Sequence, residues 1–202
     1  MYSRLNLIQM DVLKELSSIG SANAATALSS LVSSRVEITV PQVNLVPLEN
    51  ISSLFGGMDK LLFVLDTELK GDISGRIFIF LSLEDAKGLG GMLLGKSPEE
   101  VDIRDEMFLS SLKESANILG GSYISALAEM TNMLILNSTP SLAIDMVGAV
   151  LDFIFIKIAQ YSEEVLFIRN SLQVHGKNLN SLIMLFPDNE SLIKIFETLN
   201  VK

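Results

Sequence analysis

Three polar side chains and a glycine recur on one side of a helix predicted in the second half of the chain. Ser110, Glu114, Asn117 and Gly121 step by four, three and four residues, so at helical spacing they share one face. Helix propensity alone favours neither asparagine nor glycine in a helix interior, where a glycine costs about 1 kcal/mol relative to alanine. A carboxamide can hold a water molecule by a hydrogen bond without being deprotonated. Glu114 and Asn117 are therefore candidates for positioning chemistry, although a solvated helix face without a chemical role would carry the same pattern.

The other side of the same predicted helix is apolar. Its residues recur at three- and four-residue steps, the period of a helix that packs on a core. They are Leu109, Leu112, Ala116, Leu119, Tyr123, Leu127 and Met130. We therefore expect a helix over residues 104–131 that buries this stripe and displays Glu114 and Asn117.

The first half of the chain contains a related pattern. The segment Asp11–Glu15 aligns with Ser110–Glu114, and in the same alignment Pro41 matches Pro140. The polar row of the first half is Asp11, Glu15, Ser18 and Ala22, so Ser18 stands where the second half has Asn117. We predict a single domain over residues 1–202, internally duplicated, with repeats at about 6–100 and 104–202.

Each repeat is predicted to contain a long helix, a short strand, two longer strands and a final helix. The predicted helices are 6–33, 83–94, 104–131 and 189–199, and the predicted strands are 36–40, 61–69, 75–82, 133–136, 164–174 and 179–187. Isolated strand pairs are marginally stable, so we expect the two repeats to share one sheet. The predicted fold is α/β (α+β), with a mostly antiparallel sheet of about six strands flanked by helices.

Composition excludes several classes of protein. Hydrophobic residues make up 49% of the 202 residues and charged residues 19%, which excludes a largely disordered chain. A net charge of −9 is a poor match for nucleic acid. The chain has no cysteine and a single histidine, His175, so neither a thiolate site nor a histidine-rich metal site is expected. With no apolar run of membrane-spanning length and no signal-like N-terminal pattern, we expect a cytoplasmic protein without a membrane span.

Two further segments bear on ligand or partner binding. The stretch Gly90–Ser97 matches a phosphate-binding loop pattern, but a predicted helix leads into it where a strand is required, and we interpret it as a helix C-terminus. The stretch after Pro140 is predicted to be a helix that is more apolar than a typical surface helix, with Asp145 and Asp152 within it. Simple burial against the sheet is the first explanation of this second stretch.

The two motifs resemble a known family. An Asp or Ser, then Glu four residues on, Asn three residues further and Pro beyond is the pattern of the CheC/CheX/FliY phosphatases of bacterial chemotaxis. Ser110, Glu114, Asn117 and Pro140 fill it completely, whereas the first half departs from it at Ser18. The stretches Ile19–Leu28, Gly71–Gly75 and Tyr123–Ala128 also look like CheC, and two repeats in about 200 residues favour the CheC type.

The resemblance implies a fold and an activity. It implies two long motif helices side by side, related by a pseudo-twofold axis, and hydrolysis of the aspartyl phosphate on the response regulator CheY. On this reading Asn117 orients the attacking water and Glu114 pairs with the receiver's lysine. The chain itself needs no cofactor, and Mg²⁺ is expected in the receiver's own site. The first site, with Glu15 and Ser18, is expected to be impaired.

The resemblance also suggests a second partner and leaves alternatives open. The matching CheC helix docks the receptor deamidase CheD, with an aspartate at the contact, and Asp145 is the candidate here. One alternative is a non-enzymatic adaptor that binds CheD or the phosphorylated receiver. A flagellar-switch relative of the FliM type, which shares the fold without turnover, is a weaker alternative.

Overall fold

A computed structural model describes residues 5–39, 42–158, 164–174 and 177–201. The helices are Leu7–Leu31 (α1), Leu83–Leu94 (α2), Glu106–Thr131 (α3), Val147–Ile158 (α4) and Asn189–Thr198 (α5), with short 3-10 helices at Leu48–Phe55 and Pro98–Glu100. The strands are Val36–Ile38 (β1), Gln42–Pro47 (β2), Leu61–Gly71 (β3), Gly75–Ser82 (β4), Ile135–Asn137 (β5), Ser141–Met146 (β6), Glu164–Val174 (β7) and Lys177–Pro187 (β8).

The strands form one sheet in which every described pairing is antiparallel. The order is β1-β7-β8-β4-β3-β5, with β2 also paired to β7 and β6 also paired to β3. The short strands β1 and β2 thus follow one another along the edge of β7, and β5 and β6 do the same along β3. The eight strands of the described residues therefore occupy six lateral positions. The predicted mixed fold with an antiparallel sheet of about six strands is confirmed.

The order of elements is the same in the two halves. Each half has a long helix, two short strands on one edge, a helical segment, a long hairpin and a closing helix. The helical segment differs, because the first half has a 3-10 helix at Leu48–Phe55 where the second half has α4. The long hairpins β3–β4 and β7–β8 meet where β4 pairs with β8, so the two halves share a continuous sheet.

The sequence predictions missed the strand that follows each of the two prolines. Residues 141–146 form β6 and helix α4 begins only at Val147, so Asp145 lies on a strand and not in a helix. Strand β2 was likewise not predicted. Both strands complete the hydrogen bonding of a long strand that lies second from a sheet edge, β3 or β7, and this pairing cannot be recognised from the local apolar pattern. His175 and Pro41 lie outside the described residues.

The stretch that matched a phosphate-binding loop is the end of a helix. Helix α2 runs to Leu94, and Gly95 follows with φ of 65° in the left-handed region that favours glycine. The amide of Lys96 donates to the carbonyl of Gly91 at 2.8 Å. The interpretation as a helix C-terminus is confirmed.

The two long helices α1 and α3 pack directly against each other. A Cβ atom at Gly20 would lie 2.9 Å from two ring carbons of Tyr123 and 3.1 Å from its Cα. The hydroxyl of Tyr123 lies 2.7 Å from Ser21 Oγ and donates to Asn170 Oδ1 at 2.8 Å, which links both helices to β7. Burial raises the pKa of Tyr123, so its hydroxyl stays protonated. These contacts fix how the two helices sit on the sheet.

None of the helices in the described part of the chain is both long enough and apolar enough to cross a membrane.

Replacing Gly20 by alanine tests the close helix contact. We expect Gly20→Ala to lower the free energy of unfolding by about 1–2 kcal/mol, because the methyl group meets the buried ring and backbone of Tyr123. Gly120→Ala is the matched control, since nothing lies within 4 Å of a Cβ there, and it should gain up to about 1 kcal/mol of helix stability. Urea denaturation measures both. Equal stabilisation by the two substitutions would contradict the close contact.

Candidate active site

Helix α3 carries the polar row, and a capping residue marks each of its ends. Asp105 caps its N-terminus by accepting from the backbone amide of Met107, and Asn132 ends it with φ of 53°. Most of the predicted apolar stripe is buried, and Leu109 and Met130 are partly buried. Because that side packs on the core, the side chains of Ser110, Glu114 and Asn117 are left exposed to solvent.

An open groove runs along the exposed side of α3. It has a volume of about 410 Å³ and is lined by Ser110, Lys113, Glu114, Asn117, Asn137, Ser138, Thr139 and Pro140. One wall is therefore the motif helix, and the other is the end of β5 with the residues that lead to Pro140. Pro140 is buried and still lines the groove, so the proline of the motif is part of this wall. The structure brings Glu114, Asn117 and Pro140 together.

Asn117 has a hydrogen-bond partner across the groove. The Asn137 side-chain amide donates to Asn117 Oδ1 at 3.2 Å. Asn137 is the last residue of β5 and is exposed like Asn117. Sequence reasoning missed Asn137, because only the pairing of β5 with β3 places it beside α3. The feature of the sequence that could have pointed to Asn137 is its position shortly before Pro140, the last residue of the motif.

The first half arranges its polar row differently. Glu15 is exposed, whereas Ser18 is half-buried and its hydroxyl donates to the backbone carbonyl of Lys14 at 3.0 Å. That bond is one turn back along the same helix, so the hydroxyl is directed toward its own backbone. Asp11 pairs with the ammonium group of Lys14 at 2.9 Å. The Ser18 hydroxyl is thus shorter than an amide and is engaged within the helix.

Asp145 lies away from the groove. It is exposed on β6, and its carboxylate accepts from the backbone amide of Met146 at 2.8 Å. It lines a separate hollow of about 280 Å³ formed by β3, β4, β6 and α4. Phe153 on α4 also lines this hollow and is 52% exposed. Asp145 therefore belongs to a different surface from Glu114 and Asn117.

The side chains of the described ranges form no cluster suited to a metal ion. Among them, no group of three or more histidine, aspartate or glutamate residues lies close enough together to hold a metal ion. What the groove offers is a carboxylate, an ammonium group from Lys113 and the amides of Asn117 and Asn137. Such a set can orient a water molecule and bind a cationic side chain.

Comparison with known proteins gives the relatives of this chain. The model of the CheC-like family matches residues 8–45 and again residues 107–144. The CheY-P phosphatase CheC of Bacillus subtilis is 30% identical over 195 residues, covering 95% of this chain and 93% of that protein. Both matched segments contain a motif helix and the strands that follow it.

Solved structures share the fold. Thermotoga maritima FliY superposes with a TM-score of 0.79 at 23% identity, covering 97% of this chain and 98% of that one. A chain of the FliM–SpeE complex from Helicobacter pylori gives 0.70 at 13% identity, covering 98% of each chain. A chain of the CheX–CheY–BeF3–Mg²⁺ complex from Borrelia burgdorferi gives 0.51 at 15% identity, covering 84% of this chain and 96% of that one.

At these identities the structural matches concern the fold alone, whereas the match to the B. subtilis protein extends over almost the whole sequence of both proteins. The residues that carry the family pattern lie together in one groove of the second half. With its doubly matched motif and its long alignment, this chain belongs to the CheC-like family.

Proposed function

We propose that this chain hydrolyses the aspartyl phosphate of a phosphorylated CheY-type receiver. The observation that carries the proposal is the exposed pair Glu114 and Asn117, one turn apart on α3 and facing the same groove. The name of the B. subtilis relative, CheY-P phosphatase CheC, supports this substrate. A groove open to solvent suits a substrate that is itself a folded protein.

The proposed step is an in-line displacement at phosphorus. A water oxygen attacks the phosphorus, the bond from phosphorus to the aspartate oxygen breaks, and the water proton leaves with the inorganic phosphate. Asn117 accepts a hydrogen bond from this water and holds it in line, and the carboxamide needs no change of protonation. Positioning of this kind can lower a barrier by several kcal/mol through orientation entropy.

Glu114 serves docking in this proposal. Its carboxylate pairs with the lysine of the receiver and thereby sets the motif helix against the phosphorylated site. The receiver contributes the phosphoryl group, its divalent cation and that lysine, so this chain contributes only positioning groups. Mg²⁺ would accordingly be bound by the receiver, and no cofactor is assigned to this chain.

The two motif sites are proposed to be unequal. Ser18 offers a short hydroxyl that donates to the carbonyl of Lys14, so it is poorly placed to hold a water molecule above a docked receiver. Glu15 is exposed and can still pair with a receiver's lysine. We propose that the first site binds weakly or without rapid turnover, and that the chain is a duplicated, cytoplasmic single domain whose second half carries the activity.

Asp145 is proposed to belong to a second protein contact. The residue is exposed beside the hollow that Phe153 also lines, and Ile156 on α4 is 80% exposed. Exposed apolar groups next to a carboxylate are typical of a protein-binding surface. CheD is the partner that the family resemblance suggests for this surface. An adaptor that binds CheD or the receiver without turnover is the competing function.

Loss of the Asn117 amide tests the proposed chemistry. We expect Asn117→Ala to slow dephosphorylation of a phosphorylated receiver about 100-fold, equivalent to about 2.7 kcal/mol of barrier, because the water loses its acceptor. Single-turnover release of phosphate from the labelled receiver, with this chain in excess, measures the rate. Ser18→Ala is the matched control and should change it less than twofold. Equal losses in both variants would overturn the unequal sites, and stoichiometric binding without phosphate release in the unaltered protein would favour the adaptor.

Restoring an amide at position 18 should return activity to the first site. In an Asn117→Ala background, Ser18→Asn is expected to raise the dephosphorylation rate severalfold, because a carboxamide reaches further from the helix than a hydroxyl. The same single-turnover assay applies. Ser18→Thr keeps a hydroxyl and serves as the control, with no gain expected. A gain with threonine equal to that with asparagine would contradict the requirement for an amide.

Charge reversal at position 145 separates the two proposed surfaces. We expect Asp145→Lys to weaken binding of CheD at least tenfold in calorimetric titration and to leave receiver dephosphorylation within twofold, because Asp145 lies outside the groove. Glu129→Lys, at an exposed position of α3, makes the same charge change and should preserve CheD binding. Unchanged CheD affinity in Asp145→Lys would remove this residue from the contact.

A further inference from the structure

The partner of Asn117 across the groove lies outside the family motif. Asn137 donates from its side-chain amide to Asn117 Oδ1 at 3.2 Å, and both side chains are exposed. Because both residues are solvated, this hydrogen bond contributes little to the stability of the fold. Its consequence lies in the orientation of the Asn117 amide.

An isolated carboxamide can turn over, exchanging its oxygen for its nitrogen at almost no change in shape. The amide donor of Asn137 makes one of these two orientations favourable, the one in which Asn117 Oδ1 faces β5. The carbonyl oxygen has a second acceptor site, which remains for a water molecule, and the Asn117 amino group is left on the other side of the carboxamide. The bond therefore selects the orientation in which Asn117 can accept from water.

Asn137 is itself held firmly at the edge of the sheet. Ser138 donates from its amide to the Glu68 carbonyl at 2.9 Å, and its hydroxyl accepts from the Glu68 amide at 3.0 Å. At the start of β5, Asp72 accepts from the amide of Leu134 at 2.8 Å and donates its own amide to the Leu134 carbonyl at 2.8 Å. Strand β5 is thus fixed at both ends. The side-chain amide of Asn137 also donates to the carbonyl of Ser138 at 3.5 Å, which favours the orientation in which Asn137 acts as a donor toward Asn117.

The sheet register identifies the equivalent residue of the first half. Asn137 pairs with Leu69 of β3, and Ile38 pairs with Leu172 of β7 at the corresponding point of the other edge. Ser138 and Thr39 then donate from their amides to the next carbonyls, those of Glu68 and Ser171. The Ile38 side chain has no polar group, so the first half lacks a counterpart of the Asn137 amide as well as of the Asn117 amide.

We propose that Asn137 is a positioning residue that fixes the orientation of Asn117 for water attack. On this proposal the first site lacks the counterparts of both amides, whereas the family motif alone reveals only the replacement of Asn117 by Ser18. This inference rests on the proposed phosphatase function and deepens it. Asn137 acts through Asn117 and is not itself a catalytic residue. The pair, and not Asn117 alone, is the unit that the receiver meets.

The first experiment measures kcat and KM for a phosphorylated receiver. Asn137→Ala is expected to lower kcat about tenfold and leave KM within twofold, because Asn117 is present but no longer oriented. Asn137→Asp should lose at least as much, because a carboxylate placed against Asn117 Oδ1 would turn the Asn117 amide over. Leu136→Ala, the neighbouring exposed residue of β5, is the control and should retain full kcat. An undiminished kcat in Asn137→Ala would overturn the inference.

The second experiment is a double-mutant cycle. In an Asn117→Ala background, Asn137→Ala should cause no further loss, whereas a general disturbance of the groove would lower the rate again by the same factor. An additive loss would therefore overturn the positioning role. If Asn117→Ala alone left the rate unchanged, the proposed function would fail, and this outcome is distinct from failure of the inference about Asn137.

Reconstruction of the first site completes the test. In the Asn117→Ala background, Ser18→Asn with Ile38→Asn should exceed the rate of Ser18→Asn alone by about tenfold, since both amides are then present. Ser18→Asn with Ile38→Leu is the matched control and should equal Ser18→Asn alone. Equal rates for the asparagine and leucine versions at position 38 would contradict cooperation between the two amides.

Discussion

The contact between α1 and α3 is the constraint on which the groove depends. At Gly20 the absence of a side chain lets α1 approach the ring of Tyr123, and the Tyr123 hydroxyl reaches Ser21 on one helix and Asn170 on the sheet. Buried polar groups cost free energy unless they are hydrogen-bonded, so this network favours one placement of the two helices over others. Because this packing buries the apolar sides of both helices, their polar rows lie toward solvent.

The sheet edge supplies the other half of the site. Strand β5 is only three residues long, yet it brings Asn137 to Asn117 from 20 residues further along the chain. The edge of β3 holds it through main-chain pairing and through Ser138. A helix face therefore provides the Asn117 amide, and a strand edge provides the amide that donates a hydrogen bond to it. The helix is fixed by core packing, and the strand by its pairing with β3 and by the bonds of Ser138 to Glu68.

The sequence predicted the elements with strong periodicity and missed those that depend on pairing. The hairpin strand Gly75–Ser82 and the helix Leu83–Leu94 have the predicted bounds, because a run of β-branched and aromatic residues and a serine cap mark them locally. Strand β6 could not be recognised, since its residues become a strand only by completing the hydrogen bonds of β3. Asp145 was for that reason placed in a helix. The polar row on α3 was predictable from its spacing, whereas the bond between Asn137 and Asn117 was not, because it depends on the register of two strands.

The two halves keep the same order of elements but differ at the positions of the two groove amides. Asn117 and Asn137 are both solvated, so the packing of the core does not require either amide. In the first half, Ile38 is partly buried against the core, and the hydroxyl of Ser18 is satisfied by its own helix. At these two positions the side chains of the first half are engaged with the protein itself, whereas Asn117 and Asn137 face solvent. Because an exposed amide pair adds little to the stability of the fold, the fold accommodates other residues at the equivalent positions of the first half.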